Sequence, residues 1–299
     1  MRKIKTLSFL FISGSLILFS SCKKLLEIAP PIETITTEEI FASNKQAEWA
    51  VAGIYSKMIH GTSYTTTSQK REAGLQSFAA GLSTFMGSLS SDELNLGLFT
   101  NEMNTQILQN KILKNNTRTE RLWTSSYRIV YDASAAIEGL EASTSPGLSD
   151  SVKQQLIGEA LVLRAFSYFY LVNFFGDLPL ALTTDFNKTI SLPRSPVSKI
   201  YDQIKTDLIK ALPLLNRDFS VGKNQRIRVN RWVAEALMAR VYLYTGEYQR
   251  AIDHATAVID QQDLFIIEQN LDDVFRATSK EAIFQLKPAN NINGYNTSR

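Results

Sequence analysis

The sequence predicts a mainly α-helical protein whose helices pair as in a tetratricopeptide scaffold. From Thr119 onward, apolar residues recur at helical intervals in one segment after another. The last two of these segments also carry the residue spacing of a tetratricopeptide unit. Residues 60–118 differ, because they are rich in Gly, Ser, Thr and Asn. We therefore expect tetratricopeptide-like helices at 119–262, preceded by a long irregular insertion at 60–118.

The individual helices are predicted from apolar periodicity and capping residues. Thr36 and Glu39 have capping-box spacing, so one helix should run from there to about Ile59. The type of the apolar segment from Glu72 to Met86 stays open. Later helices are expected at 119–142, at 150–175, from Ser195 as N-cap to about Leu215, and as a pair at 230–245 and 247–262. In the helix at 150–175, the apolar second half predicts burial on all sides.

Five residues of the last helical pair have the spacing of a tetratricopeptide unit. A small residue, an aromatic residue, a glycine, a tyrosine and an alanine follow each other at the expected intervals: Ala239, Tyr242, Gly246, Tyr248 and Ala251. The two alanines would let the antiparallel helices approach, and the glycine would form the turn between them. The tyrosines would fill the seam between repeats, because one such unit cannot bury both its faces.

The first 21 residues have the organisation of an export signal. Basic residues precede an apolar run from Leu7 to Phe19, and small residues then lead to Cys22, the one cysteine of the chain. The run is too short to span a bilayer as a helix. The pattern resembles a bacterial lipoprotein signal, in which the cysteine is lipidated and becomes the new N-terminus. The alternative is an ordinary secretory signal followed by a free thiol.

Composition limits the partners of the processed chain. The net charge is +3, and the signal contains three basic and no acidic residues, so the remaining chain is neutral overall. A nucleic-acid-binding protein normally has a basic excess, so we expect no nucleic-acid partner. The single cysteine excludes a disulfide framework and a thiolate metal site. We expect no metal and no cofactor.

Several segments together resemble the SusD/RagB family of outer-membrane lipoproteins. They occur in the family's order and spacing: Thr37-Glu38-Glu39-Ile40-Phe41, Gly53-Ile54-Tyr55, Ser91-Asp92-Glu93-Leu94, the stretch from Gly158-Glu159-Ala160 to Phe175-Gly176-Asp177-Leu178-Pro179-Leu180, Pro193-Arg194, Ala236-Leu237-Met238-Ala239-Arg240-Val241-Tyr242, and Glu281-Ala282-Ile283-Phe284. The resemblance implies a signal peptide at 1–21, a tether at 22–35 and a SusD-like helical domain at 36–299. Because family members usually continue further, the sequence also suggests a fragment, truncated at the C-terminus.

The resemblance implies a binding role without catalysis. Family members are anchored to the outer membrane by lipid, here through acylated Cys22, and face the exterior. They capture a glycan or similar nutrient and deliver it to a SusC-type TonB-dependent transporter. The alternative is a helical-repeat scaffold or lid protein that binds only its protein partner.

Ligand residues are expected in the loops, because sugar binding uses exposed aromatic faces together with amide and carboxylate groups. The tryptophans lie in helical patterns, and we predict that Trp49, Trp123 and Trp232 belong to the core. The predicted ligand-binding residues are therefore Tyr64, Asp92, Phe99, Asn101 and Asn104.

The remaining polar motifs give little support to catalysis. The two histidines, His60 and His254, are far apart in the sequence, and no metalloprotease, serine-hydrolase or phosphate-loop motif occurs. Adjacent acids such as Asp92 and Glu93, or Asp272 and Asp273, could serve a glycoside hydrolase, but such pairs usually point in different directions into solvent. The basic residues at 223–231 are interpreted as a solvated loop and helix start: Lys223, Arg226, Arg228 and Arg231.

Overall fold

The computed structural model describes residues 36–61, 75, 77–97 and 101–287. Cys22, Tyr64 and Phe99, the signal and the whole of the tether lie outside these residues. The contacts place the described residues from Thr37 onward in one compact unit. Its described part is mostly helical, with a single two-stranded ribbon, which confirms the predicted mainly α-helical class.

The first helix predicted from the sequence is in fact two. Helix α1 spans Thr37–Ile40 and α2 spans Asn44–His60. The chain breaks between them because Ser43 adopts an extended backbone and its Oγ accepts a hydrogen bond from the backbone N–H of Gln46 (3.4 Å). A second N-cap, hidden inside one apolar pattern, therefore restarts the helix.

The insertion at 60–118 is less irregular than predicted. A π-helical turn at Phe78–Leu82 runs directly into α3 (Ser83–Ser90), and α4 spans Glu102–Leu108. Phe78 is fully buried, and its backbone N–H donates to Ser125 Oγ (3.1 Å). From Phe78 to Met86, the apolar segment of undecided type is therefore helical and part of the core.

Two long helices form the centre of the fold. Helix α5 spans Thr117–Ala142 and packs along α6, Asp150–Phe175, whose bounds match the prediction. Among the described helices, α6 is long and apolar enough to cross a membrane, but 83% of its most apolar window is buried inside the protein, as in a core helix. Its last turn is less covered than expected, since Phe174 is 37% exposed.

The next helix is joined to α6 by a buried ion pair. Helix α8 spans Val197–Ala211, and Asp207 accepts from both Nε (2.8 Å) and Nη2 (2.9 Å) of Arg164 on α6. This helix starts at Val197 rather than Pro196, because the carboxylate of Asp177, and not Ser195, accepts from the Val197 N–H (3.0 Å). It also ends at Ala211, four residues earlier than the predicted end at Leu215.

The connection between α6 and α8 contains the ribbon and a short helix. Strands β1 (Leu178–Pro179) and β2 (Arg194–Ser195) pair antiparallel, with Leu178 opposite Ser195. Between them lies α7, Phe186–Thr189.

The last helical pair is confirmed, although one predicted contact is not formed. Helices α9 (Arg231–Tyr244) and α10 (Tyr248–Ile259) pack against each other after a turn in which Gly246 has φ +76°. Tyr242 is buried between them. Tyr248 is 65% exposed, so it fills no seam among the described residues. Beyond the pair, the described chain contains one further helix, α11 (Leu271–Val274).

Candidate functional site

A cavity of about 420 Å³ lies where α2, the loop before α9 and residues 285–287 meet. This volume falls within the roughly 300–1,000 Å³ that is usual for small-molecule sites. The loop before α9 contributes Val221, Gly222, Lys223, Gln225, Ile227 and Arg228, and the other segments contribute Ala52, Tyr55, Ser56, Ile59, His60, Gln285, Leu286 and Lys287.

One face of α2 forms the first wall of the cavity. Ala52, Tyr55, Ser56 and Ile59 recur at the spacing that places residues on the same side of a helix. The same helix buries Val51, Ile54 and Met58 in the core. The wall is therefore held by the main packing of the fold and not by a loop.

The second wall is a tight turn in the chain before α9. After a 3₁₀ turn at Ser220–Gly222, Lys223 (φ +54°) and Asn224 (φ +61°) adopt left-handed conformations. Backbone hydrogen bonds close the turn, from the Lys223 N–H to the Ser220 carbonyl (2.9 Å) and from the Asn224 N–H to the Phe219 carbonyl (2.9 Å). Two consecutive left-handed residues reverse the chain sharply.

Arg226 links the turn at 220–224 to the end of the described chain. Its guanidinium lies over the rings of Phe219 (4.5 Å) and Phe265 (4.9 Å), and it donates to the carbonyls of Ala282 (2.9 Å) and Leu264. The side chain is buried, and burial lowers the pKa of its guanidinium. The prediction of a solvated basic loop is wrong for Arg226, because its charge is used to clamp three chain segments together.

Arg228 is also not solvated, and it forms the back of the cavity. Its Nε donates to Glu159 Oε2 (2.7 Å) and its Nη2 donates to Glu159 Oε1 (2.9 Å), a bidentate ion pair. Glu159, on α6, is completely buried. The same carboxylate accepts from the Tyr55 hydroxyl and from Gln155 Nε2 (3.0 Å). The prediction of a solvated basic loop is therefore also wrong for Arg228, because its guanidinium pairs with Glu159, 69 residues earlier in the chain.

The charges in this cluster are fixed by their surroundings. Burial, and next the Glu159 charge, raises the pKa of the Tyr55 hydroxyl well above its usual value, so it remains a hydrogen-bond donor. Burial alone would lower the pKa of Arg228, but Glu159 and Tyr55 outweigh it and raise the pKa above its ordinary value. Tyr55 Oη in turn accepts from the Val229 N–H (3.1 Å), which holds the segment after Arg228 in place.

The three predicted ligand residues that the structure describes lie elsewhere, around α3 and α4. Asp92 is exposed, with φ +62°, in the turn after α3. Asn101 is exposed, and its side-chain oxygen caps α4 by accepting from the Asn104 N–H (2.8 Å). Asn104 is buried and accepts from Arg118 Nε (3.3 Å). None of the three lines the cavity, and their predicted ligand role stays a prediction.

The tryptophans divide between surface and interior. Trp49 is 62% exposed on α2, with Lys45 Nζ 4.7 Å from its ring, so its assignment to the core is wrong. Trp232 is buried, and its indole N–H donates to the Arg217 carbonyl (2.6 Å). Trp123 is half-buried and packs edge-on against Phe175 (ring centroids 5.0 Å apart).

Side chains that could bind a metal do not cluster in the described part of the chain. No group of three or more His, Cys, Asp or Glu side chains lies close enough there to hold a metal ion. The two histidines have different surroundings, because His60 lines the cavity whereas His254 Nδ1 pairs with Glu235 (2.6 Å). The described geometry is that of a cavity with one wall backed by a buried ion pair.

The chain is similar to proteins of one family in sequence. It is 27% identical over 266 residues to SusD-like protein P38 of Formosa agariphila, covering 87% of this chain and 46% of that protein. It is 28% identical over 178 residues to a SusD-like protein of Bacteroides ovatus, covering 56% of this chain and 30% of that protein. The chain thus spans less than half the length of these two curated relatives.

Solved structures show the same fold. A SusD superfamily protein from Bacteroides thetaiotaomicron superposes with a TM-score of 0.66 at 20% identity, covering 83% of this chain and 53% of that one. A laminarin-binding SusD-like protein superposes with a TM-score of 0.65 at 21% identity, covering 85% of this chain and 50% of that one. A family model described as "Starch-binding associating with outer membrane" matches residues 65–243, more than half of the chain. The resemblance found in the sequence is therefore confirmed, and the chain belongs to the SusD-like family.

Proposed function

We propose that this chain is a surface-exposed binding protein of the outer membrane, anchored by lipid on Cys22. It captures a glycan or similar nutrient and delivers it, without altering it, to a SusC-type TonB-dependent transporter. The observation that carries the proposal is the family match over residues 65–243, whose description joins starch binding to the outer membrane. One solved relative of the same fold is named as laminarin-binding, which supports a glycan as the ligand.

The cavity beside Tyr55 and Arg228 is the proposed binding site. Gln225 and Gln285 offer amide groups to sugar hydroxyls, while Ile59, Ile227 and Leu286 offer apolar surface to the ring carbons. Arg226 and Glu159 hold the walls in place before a ligand arrives, which reduces the entropy lost on binding.

The loop residues predicted from the sequence form a second proposed contact region. Asp92 and Asn101 are exposed near α3 and α4, and Tyr64 and Phe99 belong to the same insertion. A polymeric glycan is long enough to touch more than one region, so the two sites are compatible.

Affinity electrophoresis across a panel of polysaccharides tests the proposal. We expect at least one polysaccharide to retard the protein, and expect the double variant Gln225→Ala/Gln285→Ala to be retarded less. Gln249→Ala, an exposed glutamine on α10, is the matched control and should behave like the unaltered protein. Retardation by none, together with co-purification of a barrel protein, would favour the helical-repeat scaffold or lid protein. Release of reducing sugar by the pure protein would instead indicate a glycoside hydrolase.

The lipid anchor is tested by Cys22→Ala. Several acyl chains hold a lipoprotein stably, since each buried methylene contributes about 0.8 kcal/mol. We expect the variant to move from the membrane pellet to the soluble fraction, with the unaltered protein as control. A variant that still sediments with membranes would show that lipid on Cys22 is not the anchor.

A further inference from the structure

The cavity carries positive charge that no carboxylate in the described part of the chain neutralises. Lys223 and Lys287 are exposed lining residues, and neither forms an ion pair with a carboxylate among the residues that the structure describes. Lys287 Nζ donates to Gln225 Oε1 (3.0 Å), another lining residue, which places its ammonium group at the cavity. No Asp or Glu belongs to the described lining. The two lysines therefore remain available to an anion from outside.

Arg228 does not account for this excess. Both oxygens of Glu159 are engaged by its guanidinium, so the pair is neutral as a unit and adds no net charge to the cavity. Because that pair is neutral, Lys223 and Lys287 supply the net positive charge of the described lining. Arg228 is therefore a structural cation with a carboxylate partner, whereas Lys223 and Lys287 are surface cations without a carboxylate partner among the described residues.

The uncharged lining indicates what kind of anion fits. Val221, Ile227 and Leu286 are apolar, and Gln225 and Gln285 carry amides. A small inorganic anion makes no favourable contact with apolar walls. A sugar ring presents apolar carbons to such walls and hydroxyls to the amides, and an acidic sugar adds one charged group. Hydrogen bonds between an ammonium and a carboxylate or sulfate are about twice as strong as neutral ones.

We propose that this cavity binds an acidic sugar residue, one that carries a carboxylate or a sulfate ester, and that Lys223 and Lys287 pair with its charge. The inference rests on the proposed function and narrows it from glycans in general to acidic glycans. Selectivity then comes from the two ammonium groups, and the apolar walls and amides supply contacts that any sugar would share.

Matched pairs of polysaccharides test the inference by affinity electrophoresis. Dextran sulfate is compared with dextran, and polygalacturonate with its methyl ester, so that each acidic polymer has a neutral partner with the same backbone. The variant Lys223→Gln/Lys287→Gln is compared with Lys199→Gln/Lys210→Gln, which removes the same charge from exposed lysines on α8, outside the cavity and outside the second proposed contact region. We expect at least one acidic polymer to bind about tenfold or more tightly than its neutral partner. The cavity variant should lose that preference, and the control variant should keep it.

The outcomes separate this inference from the proposed function. The sulfate arm and the carboxylate arm show which acidic group is preferred, and binding in either arm that depends on the cavity lysines supports the inference. Equal binding of acidic and neutral polymers, or equal losses in the two lysine variants, overturns the inference while the proposed function stands. Failure to bind any polysaccharide overturns both.

Discussion

Removal of the buried carboxylate at Glu159 should destabilise the fold more than any surface ion-pair change. Oε2 accepts from Tyr55 and Arg228, and Oε1 accepts from Gln155 and Arg228. In Glu159→Gln, the new amide nitrogen is itself a donor and must face two of these donors. The Arg228 side chain, which is only 15% exposed, also loses its counter-charge. Breaking one partner of a buried pair costs about 3–5 kcal/mol. We expect a loss of that size in the free energy of unfolding.

The measurement is equilibrium urea unfolding at neutral pH, followed by far-ultraviolet circular dichroism. Lys188→Met is the control, because it breaks an ion pair with Asp185 whose side chains are 72% and 39% exposed. Such exposed pairs contribute about 0–1 kcal/mol. A Glu159→Gln variant within about 1 kcal/mol of the unaltered protein would refute the reasoning, because the cluster would then not depend on its charge.

A double variant separates charge from shape. Glu159→Leu/Arg228→Met removes both charges and leaves comparable apolar volume, so it should be less destabilised than Glu159→Gln. The remaining cost arises from Tyr55 and Gln155, each of which loses an acceptor at about 1 kcal/mol. A double variant that loses as much as the single variant would indicate that packing, and not the unpaired Arg228, sets the cost.

Two further changes test the helical packing and one of its carboxylates. Gly139→Ala should lower the urea midpoint, since the new Cβ would lie 2.2 Å from the buried Phe41 ring. In Gly53→Ala on α2, the new Cβ meets nothing within 4 Å, so this control variant should raise the free energy of unfolding by about 1 kcal/mol. Equal effects of the two substitutions would contradict this packing. For Glu235, burial alone would raise the pKa, but hydrogen bonds from His254 and Arg231 lower it below the ordinary 4.5. A depressed carboxyl pKa stabilises the fold above the unfolded value and loses that effect as pH falls through the folded value. Unfolding curves of the unaltered protein and Glu235→Gln should therefore differ at pH 7 and converge in acid, and a constant gap would contradict the assignment.

Helix positions could be predicted from the sequence wherever the determining contacts are local. The bounds of α6 match because apolar residues fill the helix and Gly176, with φ +69°, ends it. The break at Ser43 was missed because the capping-box spacing of Thr36 and Glu39 masked a second cap only a few residues later. The exposure of Trp49 could have been found, since Ala47 and Val51 are fully buried and Trp49 lies between them on the opposite side of α2.

The candidate site could not be predicted in the same way, because its contacts join distant parts of the chain. Arg228 meets Glu159 across 69 residues, and Arg226 meets Ala282 across 56. A local pattern of basic residues near a helix start is typical of a solvated loop. One signal was nevertheless present: Glu159 lies within the long apolar pattern of α6, and a buried carboxylate requires a cation partner.

Salt should affect the two sets of charges at the cavity differently. Lys223 and Lys287 are exposed, so their attraction for an acidic sugar is screened as the Debye length falls from about 10 Å at 0.1 M salt to about 3 Å at 1 M. Glu159 is fully buried, so its pairing with Arg228 is screened much less. We therefore expect added sodium chloride to weaken binding of an acidic polysaccharide in affinity electrophoresis, while the stability gap between the unaltered protein and Glu159→Gln persists in urea unfolding. If both effects declined together, the buried pair would be open to solvent, and the cavity wall would not be the fixed surface that selective binding requires.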